Sequence, residues 1–173
     1  AMEMISNGGF KYQLAARHTP SAGQTDIPRL RDGGVDAQVL VIWIDPAQYA
    51  ASIFFSTAVR FLDTLKAQIG RNSKDIGIVT QSDSIGALNK QGKIAGIVMI
   101  EGGHSIEDKI ENLKYFYSAG ARLMTITWNN SPAWAVSSSD AQAGNKGGLN
   151  DFGRQVIRTM DSLGMIIDVS HVG

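Results

Sequence analysis

One module occurs three times in the second half of the chain: a glycine, an apolar run and a polar tip, with a helical segment between successive copies. The glycine of each copy suits the left-handed position that ends a helix before a return to a sheet. The glycines are Gly92, Gly120 and Gly164, and the tips are Glu101-Gly102-Gly103-His104, Trp128-Asn129-Asn130 and Ser170-His171. The runs are apolar on both faces, which is typical of parallel strands covered by helices.

The first half of the chain continues this alternation. The run 38–44 predicts a buried strand, and Asp45-Pro46 predicts the start of a long helix that ends at Gly70. Ser105, with Asp108 three residues later, predicts a helix cap. Alternating strands and helices leave two architectures open, a doubly wound sheet and a (β/α)8 barrel. No nucleotide-binding glycine motif follows a strand, and polar groups stand at strand ends, so we predict part of a (β/α)8 TIM-type barrel with parallel strands.

Length and composition limit the remaining possibilities. We expect the 173 residues to form a single partial barrel domain, because a complete barrel needs about 250 residues. The 16 basic and 16 acidic residues balance, which argues against nucleic acid as a partner. The longest apolar runs are too short for a membrane segment. Cysteine is absent, which excludes disulfides and thiolate ligands; this fits a cytoplasmic protein and also allows the bacterial periplasm.

A long polar segment, residues 136–148, has little to bury. It is predicted to be a loop on the face where the strands end. Long loops inside compact domains are often active-site lids, although a plain surface loop is an equal alternative on composition alone.

Two residues at strand ends are candidates for metal binding. Glu101 follows a buried run and precedes two glycines, and a carboxylate in such a place needs a cation or donor groups as partners. His171 ends the last module, where a structural role is the commoner one for a lone histidine. Together, a carboxylate and a neutral imidazole suit zinc.

Four other residues are candidates for supporting roles. Asp168 either orients a metal-binding imidazole without binding the metal itself or caps a turn. His104 is expected to bond loop carbonyls behind the site. Trp128, followed by Asn129, is placed to line a substrate pocket, with packing as the alternative for the indole.

Several segments resemble the renal dipeptidase (membrane dipeptidase) family. The Glu-Gly-Gly-His-Ser segment at 101–105 is similar to a characteristic segment of that family, and so is Asp-Val-Ser-His at 168–171. Similarity also covers residues 25–31, 116–127, 148–153 and 163–172, in order over nearly the whole chain. The two blocks together are specific, whereas either alone would be weak.

The resemblance implies a zinc-dependent dipeptidase with two zinc ions and a small peptide as substrate. Glu101 matches the carboxylate that bridges the two metals, and His171 matches a ligand of one of them. A metal-bound hydroxide would attack the peptide carbonyl. The family's first-strand His-x-Asp pair has no counterpart, and its second zinc-ligand histidine and catalytic aspartate are expected beyond Gly173. The oligomeric state, including a homodimer, is left open.

Trp128 departs from the pattern, because renal dipeptidase has a substrate-contacting histidine at this position. Two alternatives therefore stay open beside the dipeptidase. One is a related barrel amidohydrolase that acts on N-acyl amino acids or cyclic amides. The other is a non-catalytic relative that binds peptides.

Overall fold

The computed structural model describes residues 12–140 and 147–173. Helices and strands alternate along this part of the chain. The helices are α1 (Ile27–Asp32), α2 (Phe54–Arg71), α3 (Asp83–Asn89), α4 (Ile110–Ser118) and α5 (Asp151–Leu163). The strands are β1 (Ala37–Trp43), β2 (Ile76–Ile78), β3 (Ile94–Glu101), β4 (Ala121–Thr125) and β5 (Ile166–Asp168). Short 3-10 helices cover Ala51–Ile53 and Gly103–Ile106.

The strands form one sheet in which β3 is adjacent to β1, β2 and β4, and β4 is adjacent to β5. The pairs β2–β3 and β4–β5 are parallel, with Ile76 opposite Ile94 and Thr125 opposite Asp168. The glycines of the three modules all have positive φ, from 70° to 104° for Gly164 and Gly120. The prediction of a parallel α/β fold built from repeated modules is confirmed.

The chain divides into two compact units. The first comprises residues up to Ile42 together with Arg60–Val98. Its buried side chains include Leu62, Leu65 and Ile69 of α2, one face of the helix that the apolar spacing predicts. The start of α1 is fixed by Asp26, which is fully buried and caps the helix through the Arg29 N–H at 2.8 Å.

The second unit comprises Trp43–Val59 and Met99–Gly173 and contains every candidate site residue. Its core is built from β3, β4 and the inner faces of α4 and α5. The largest fully buried side chains include Ile100, Leu113, Phe116, Met124, Met160 and Trp134. The carboxyl ends of β3, β4 and β5 thus belong to a unit with a well-packed core.

Three helix boundaries differ from the sequence prediction. Helix α2 begins at Phe54 rather than at Pro46, and it continues through Gly70 to Arg71. Asp45 instead closes a turn, accepting the Ala47 N–H at 2.9 Å. The predicted cap at Ser105 is also wrong: this residue lies in a 3-10 helix, and α4 begins at Ile110.

Candidate functional site

Glu101 and His171 meet at the carboxyl ends of β3 and of the segment after β5. Oε1 of Glu101 lies 3.4 Å from Nε2 of His171, and the side chains are 26% and 32% exposed. Among the described residues, this imidazole is the ring that lies within ion-pair distance of the Glu101 carboxylate. A carboxylate oxygen and a ring nitrogen therefore face each other in a partly solvated position.

The second ring nitrogen of His171 has its own partner. Nδ1 lies 3.0 Å from Oδ1 of Asn129, and the Ser139 hydroxyl lies 3.3 Å from the same oxygen. Asn129 belongs to the polar tip after β4, so the tips of two modules are joined through this contact. The side chain predicted for substrate binding contacts the imidazole directly.

The backbone of His171 adopts an uncommon conformation, with φ at 65°. A positive φ is unfavourable for a residue that carries a Cβ and persists where the surroundings hold it. The His171 carbonyl accepts the Ser138 N–H at 2.8 Å, and Ser137 forms an isolated bridge with Val172. The left-handed conformation of His171 is therefore held by contacts from Ser137 and Ser138, which lie outside its own segment.

Asp168 supports the turn that leads to His171. Its Oδ1 accepts the backbone N–H and the hydroxyl of Ser170, at 3.0 and 2.8 Å, and its Oδ2 accepts the Thr125 hydroxyl at 2.9 Å. Burial raises the pKa of the Asp168 carboxyl, but these hydrogen bonds and the nearby His171 ring bring it below its ordinary value. Asp168 thus fixes the turn that leads to His171.

His104 is buried beside the strand ends, with 6% of its surface exposed. Its Nε2 lies 3.0 Å from the Ile44 carbonyl, so this nitrogen donates, and Phe54 packs edge-on at 5.0 Å. Burial lowers the pKa of the His104 ring, and the bond to Ile44 only partly opposes this. The ring also occupies the space that a side chain at Gly102 would need, where φ is 95°. His104 therefore shapes the backbone directly after Glu101.

Trp128 stands beside the two candidate ligands. Its ring centroid is 4.6 Å from that of Trp43, at the end of β1, and 6.5 Å from that of His171. Both indoles are partly exposed. Neither Trp43 nor Ser139 was expected at the site. The only sequence signal for Trp43 is its place near the end of the apolar run 38–44.

The Glu101–His171 pair fits a metal ion. Zinc bonds of about 2.0–2.2 Å to nitrogen and oxygen, at a tetrahedral angle, separate two ligand atoms by roughly 3.3–3.6 Å. The observed 3.4 Å lies in that range. No cluster of three or more metal-binding side chains occurs among residues 12–140 and 147–173.

A parallel α/β fold with a carboxylate and an imidazole at its strand ends is typical of metal-dependent hydrolases. The chain belongs to the membrane dipeptidase family (Peptidase family M19), whose family model matches residues 4–173.

Two curated relatives are Dipeptidase 3 proteins. The rat protein is 34% identical over 164 residues, covering 93% of this chain and 33% of its own length. The human protein is 35% identical over 158 residues, covering 87% of this chain and 30% of its own length. The chain thus spans about a third of the length of these relatives.

Solved structures show the same fold. The dipeptidase AC, described as a metallo peptidase of family M19, has a TM-score of 0.84 at 17% identity, over 98% of this chain and 53% of its own. A metallo peptidase from Rhodobacter sphaeroides, liganded with a phosphinate mimic of the dipeptide L-Ala-D-Ala, has a TM-score of 0.85 at 16% identity, over 99% of this chain and 56% of its own. The fold expected from the family resemblance is confirmed.

In the described part, no helix is long and apolar enough to cross a bilayer.

Proposed function

We propose that the full-length protein is a zinc-dependent dipeptidase and that Glu101 and His171 are ligands of its metal centre. The observation that carries the proposal is the 3.4 Å approach of the Glu101 carboxylate to the His171 imidazole, in a chain of the M19 family. The proposal extends to two zinc ions, which Glu101 and His171 would help to hold. The other ligands would come from elsewhere in the full-length protein.

The chemistry that zinc supplies when bound is a lowered pKa for water and polarisation of a carbonyl. The described residues determine where the proposed ligands lie. His104 and Gly102 fix the backbone after Glu101, and Asp168 holds the turn before His171. These contacts hold the carboxylate and the imidazole side by side, which favours a preorganised site.

Trp128 and Trp43 are assigned to the substrate side of this site. Their indoles lie in contact, partly exposed, and Trp128 is near the His171 ring. Such a surface offers apolar contact and little hydrogen bonding, so it favours dipeptides with an apolar side chain. An indole cannot accept a proton or a hydrogen bond as imidazole does, so Trp128 shapes the pocket.

The proposal is tested by metal analysis and kinetics on the full-length protein. We expect about two zinc ions per chain and hydrolysis of small L,L and L,D dipeptides, with both metal and activity reduced in Glu101→Gln. The matched control is Glu111→Gln, which removes an exposed carboxylate in the first turn of α4 and should leave both unchanged. Metal without dipeptide hydrolysis would point to N-acyl amino acids or cyclic amides. Absence of metal from the purified, metal-supplemented protein would overturn the proposal.

A further inference from the structure

We propose that Asn129 is a positioning residue that fixes the tautomer of His171 and turns the lone pair of Nε2 toward Glu101. The inference rests on the proposed metal site for its functional meaning. Its structural basis is the hydrogen bond between Asn129 Oδ1 and His171 Nδ1, 3.0 Å long.

The identity of the Asn129 atom decides where the ring carries its hydrogen. A side-chain amide oxygen only accepts hydrogen bonds, so Nδ1 of His171 is the donor. The Ser139 hydroxyl, 3.3 Å from the same oxygen, donates as a second partner. An amide oxygen has two lone pairs, so both bonds are satisfied together.

A neutral imidazole with hydrogen on Nδ1 has a lone pair on Nε2. This lone pair faces Oε1 of Glu101 at 3.4 Å, and a carboxylate oxygen is also an acceptor. A cation placed between these two atoms would accept a lone pair from each of them. The arrangement is therefore suited to a metal cation, which binds imidazole through its unprotonated nitrogen.

The segment Ser137–Ser139 holds both members of this contact. The Ser137 hydroxyl donates to the Trp128 carbonyl at 2.5 Å, directly before Asn129. The Ser138 N–H donates to the His171 carbonyl at 2.8 Å. The segment Ser137–Ser139 is thus bonded to the backbone next to Asn129 and to the backbone of His171. The geometry of the Asn129–His171 hydrogen bond is therefore set by the backbone as well as by the two side chains.

The segment also clarifies the loop predicted over residues 136–148. Its described beginning, through Asp140, is bonded to the tips after β4 and β5, while residues 141–146 lie outside the described residues. The beginning of the loop is therefore part of the support of the site.

The tautomer is measurable without metal. In full-length protein labelled with 15N-histidine and freed of metal, above the ordinary histidine pKa of about 6.5, we expect His171 to carry its hydrogen on Nδ1. The signal is assigned by its loss in His171→Gln. Asn129→Leu should abolish the single tautomer, and Asn129→Asp, which keeps an acceptor, should preserve it.

Zinc affinity, measured by competition with a chelator, gives the second readout. Loss of an outer partner of a ligating histidine typically weakens metal binding about 10–100-fold, and we expect this for Asn129→Leu. Gln155→Leu is the matched control, because it removes an exposed side-chain amide on α5 that has no part in the site. It should leave both readouts unchanged.

The outcomes separate this inference from the proposed function. Hydrogen on Nε2 in the unaltered protein, or an unchanged tautomer and zinc affinity in Asn129→Leu, would overturn the positioning role. An unaltered protein with the expected tautomer and no zinc affinity would support the tautomer assignment and overturn the metal site itself.

Discussion

Oε1 of Glu101 lies 3.4 Å from Nε2 of His171, although the two residues end different modules of the chain. If both bind one ion, their contributions to metal affinity depend on each other. Residues that share a partner typically show coupling energies of about 0.5–3 kcal/mol in a double-mutant cycle. The pair can therefore be tested as a unit.

We expect Glu101→Gln and His171→Gln each to weaken zinc binding strongly, and the double variant to lose clearly less than the sum of the two. The measurement is zinc affinity by chelator competition on the full-length protein. His18→Gln is the control for loss of an imidazole, because the His18 ring is bonded to the Gln13 carbonyl in the first unit. Strict additivity of the two losses would show that the residues do not share an ion.

Trp128→His tests the substrate side. The Trp43–Trp128 contact is worth roughly 0.5–1.5 kcal/mol beyond apolar burial, and its loss removes apolar surface next to the site. We expect kcat/KM for dipeptides with apolar side chains to fall about tenfold relative to glycylglycine, a typical size for lost apolar contact.

A comparison variant, Trp43→Phe, keeps an aromatic ring and should retain most of the selectivity. Both variants should keep wild-type zinc affinity, since neither removes a proposed ligand. If Trp128→His leaves the relative kcat/KM values unchanged, the indole pair serves packing alone.

The sequence predicted the elements that carry the site because periodicity and position suffice for them. Parallel strands bring their carboxyl ends to one edge of a sheet, so residues at the tips of successive modules meet there. Glu101, Trp128 and His171 could be found in this way. The family resemblance added the expectation that Glu101 and His171 bind metal, which the geometry supports as a proposal.

Other features depend on contacts that no local pattern records. The first turn of α2 is served by Glu107, whose carboxylate accepts the Phe55 N–H at 2.9 Å from 52 residues away. The local signal at Asp45-Pro46 is also used by turns, and here Asp45 closes one. The Asn129–His171 bond likewise joins two tips and could not be read from either. Whether the chain is one domain, as predicted, remains a prediction.

Gly103→Ala tests how tightly the base of the site is packed. A Cβ at Gly103 would overlap the Trp134 indole and lie 2.5 Å from the Ile126 carbonyl oxygen, and neither is free to move. Overpacking of this kind costs about 1–3 kcal/mol. We expect the free energy of unfolding, from urea denaturation of the full-length protein, to fall by that amount, with zinc affinity reduced as well.

Gly86→Ala is the matched control for Gly103→Ala. Gly86 lies inside α3, and a Cβ there meets nothing within 4 Å. Alanine should stabilise this helix by about 0.5–1 kcal/mol. Equal effects of the two substitutions would contradict the packing assigned to Trp134.

Asp26→Asn tests a buried charge in the first unit. Burial raises the pKa of Asp26, but hydrogen bonds from the His18 and Arg29 N–H groups and the Arg29 side chain lower it below its ordinary value. The ionised form therefore stabilises the fold. This contribution is complete above the ordinary carboxyl pKa of about 4 and is lost as the pH falls through the lowered pKa of the folded state.

We expect Asp26→Asn to lower the free energy of unfolding by about 1–3 kcal/mol near neutral pH, because asparagine keeps an acceptor for the helix cap but loses the charge opposite Arg29. In urea denaturation as a function of pH, the two proteins should converge below pH 4 or so. Asp32→Asn, at an exposed ion pair with Arg17, should cost at most about 1 kcal/mol. A difference between wild type and Asp26→Asn that persists unchanged into acid would show that the side chain acts through its shape, because protonation would then have removed nothing.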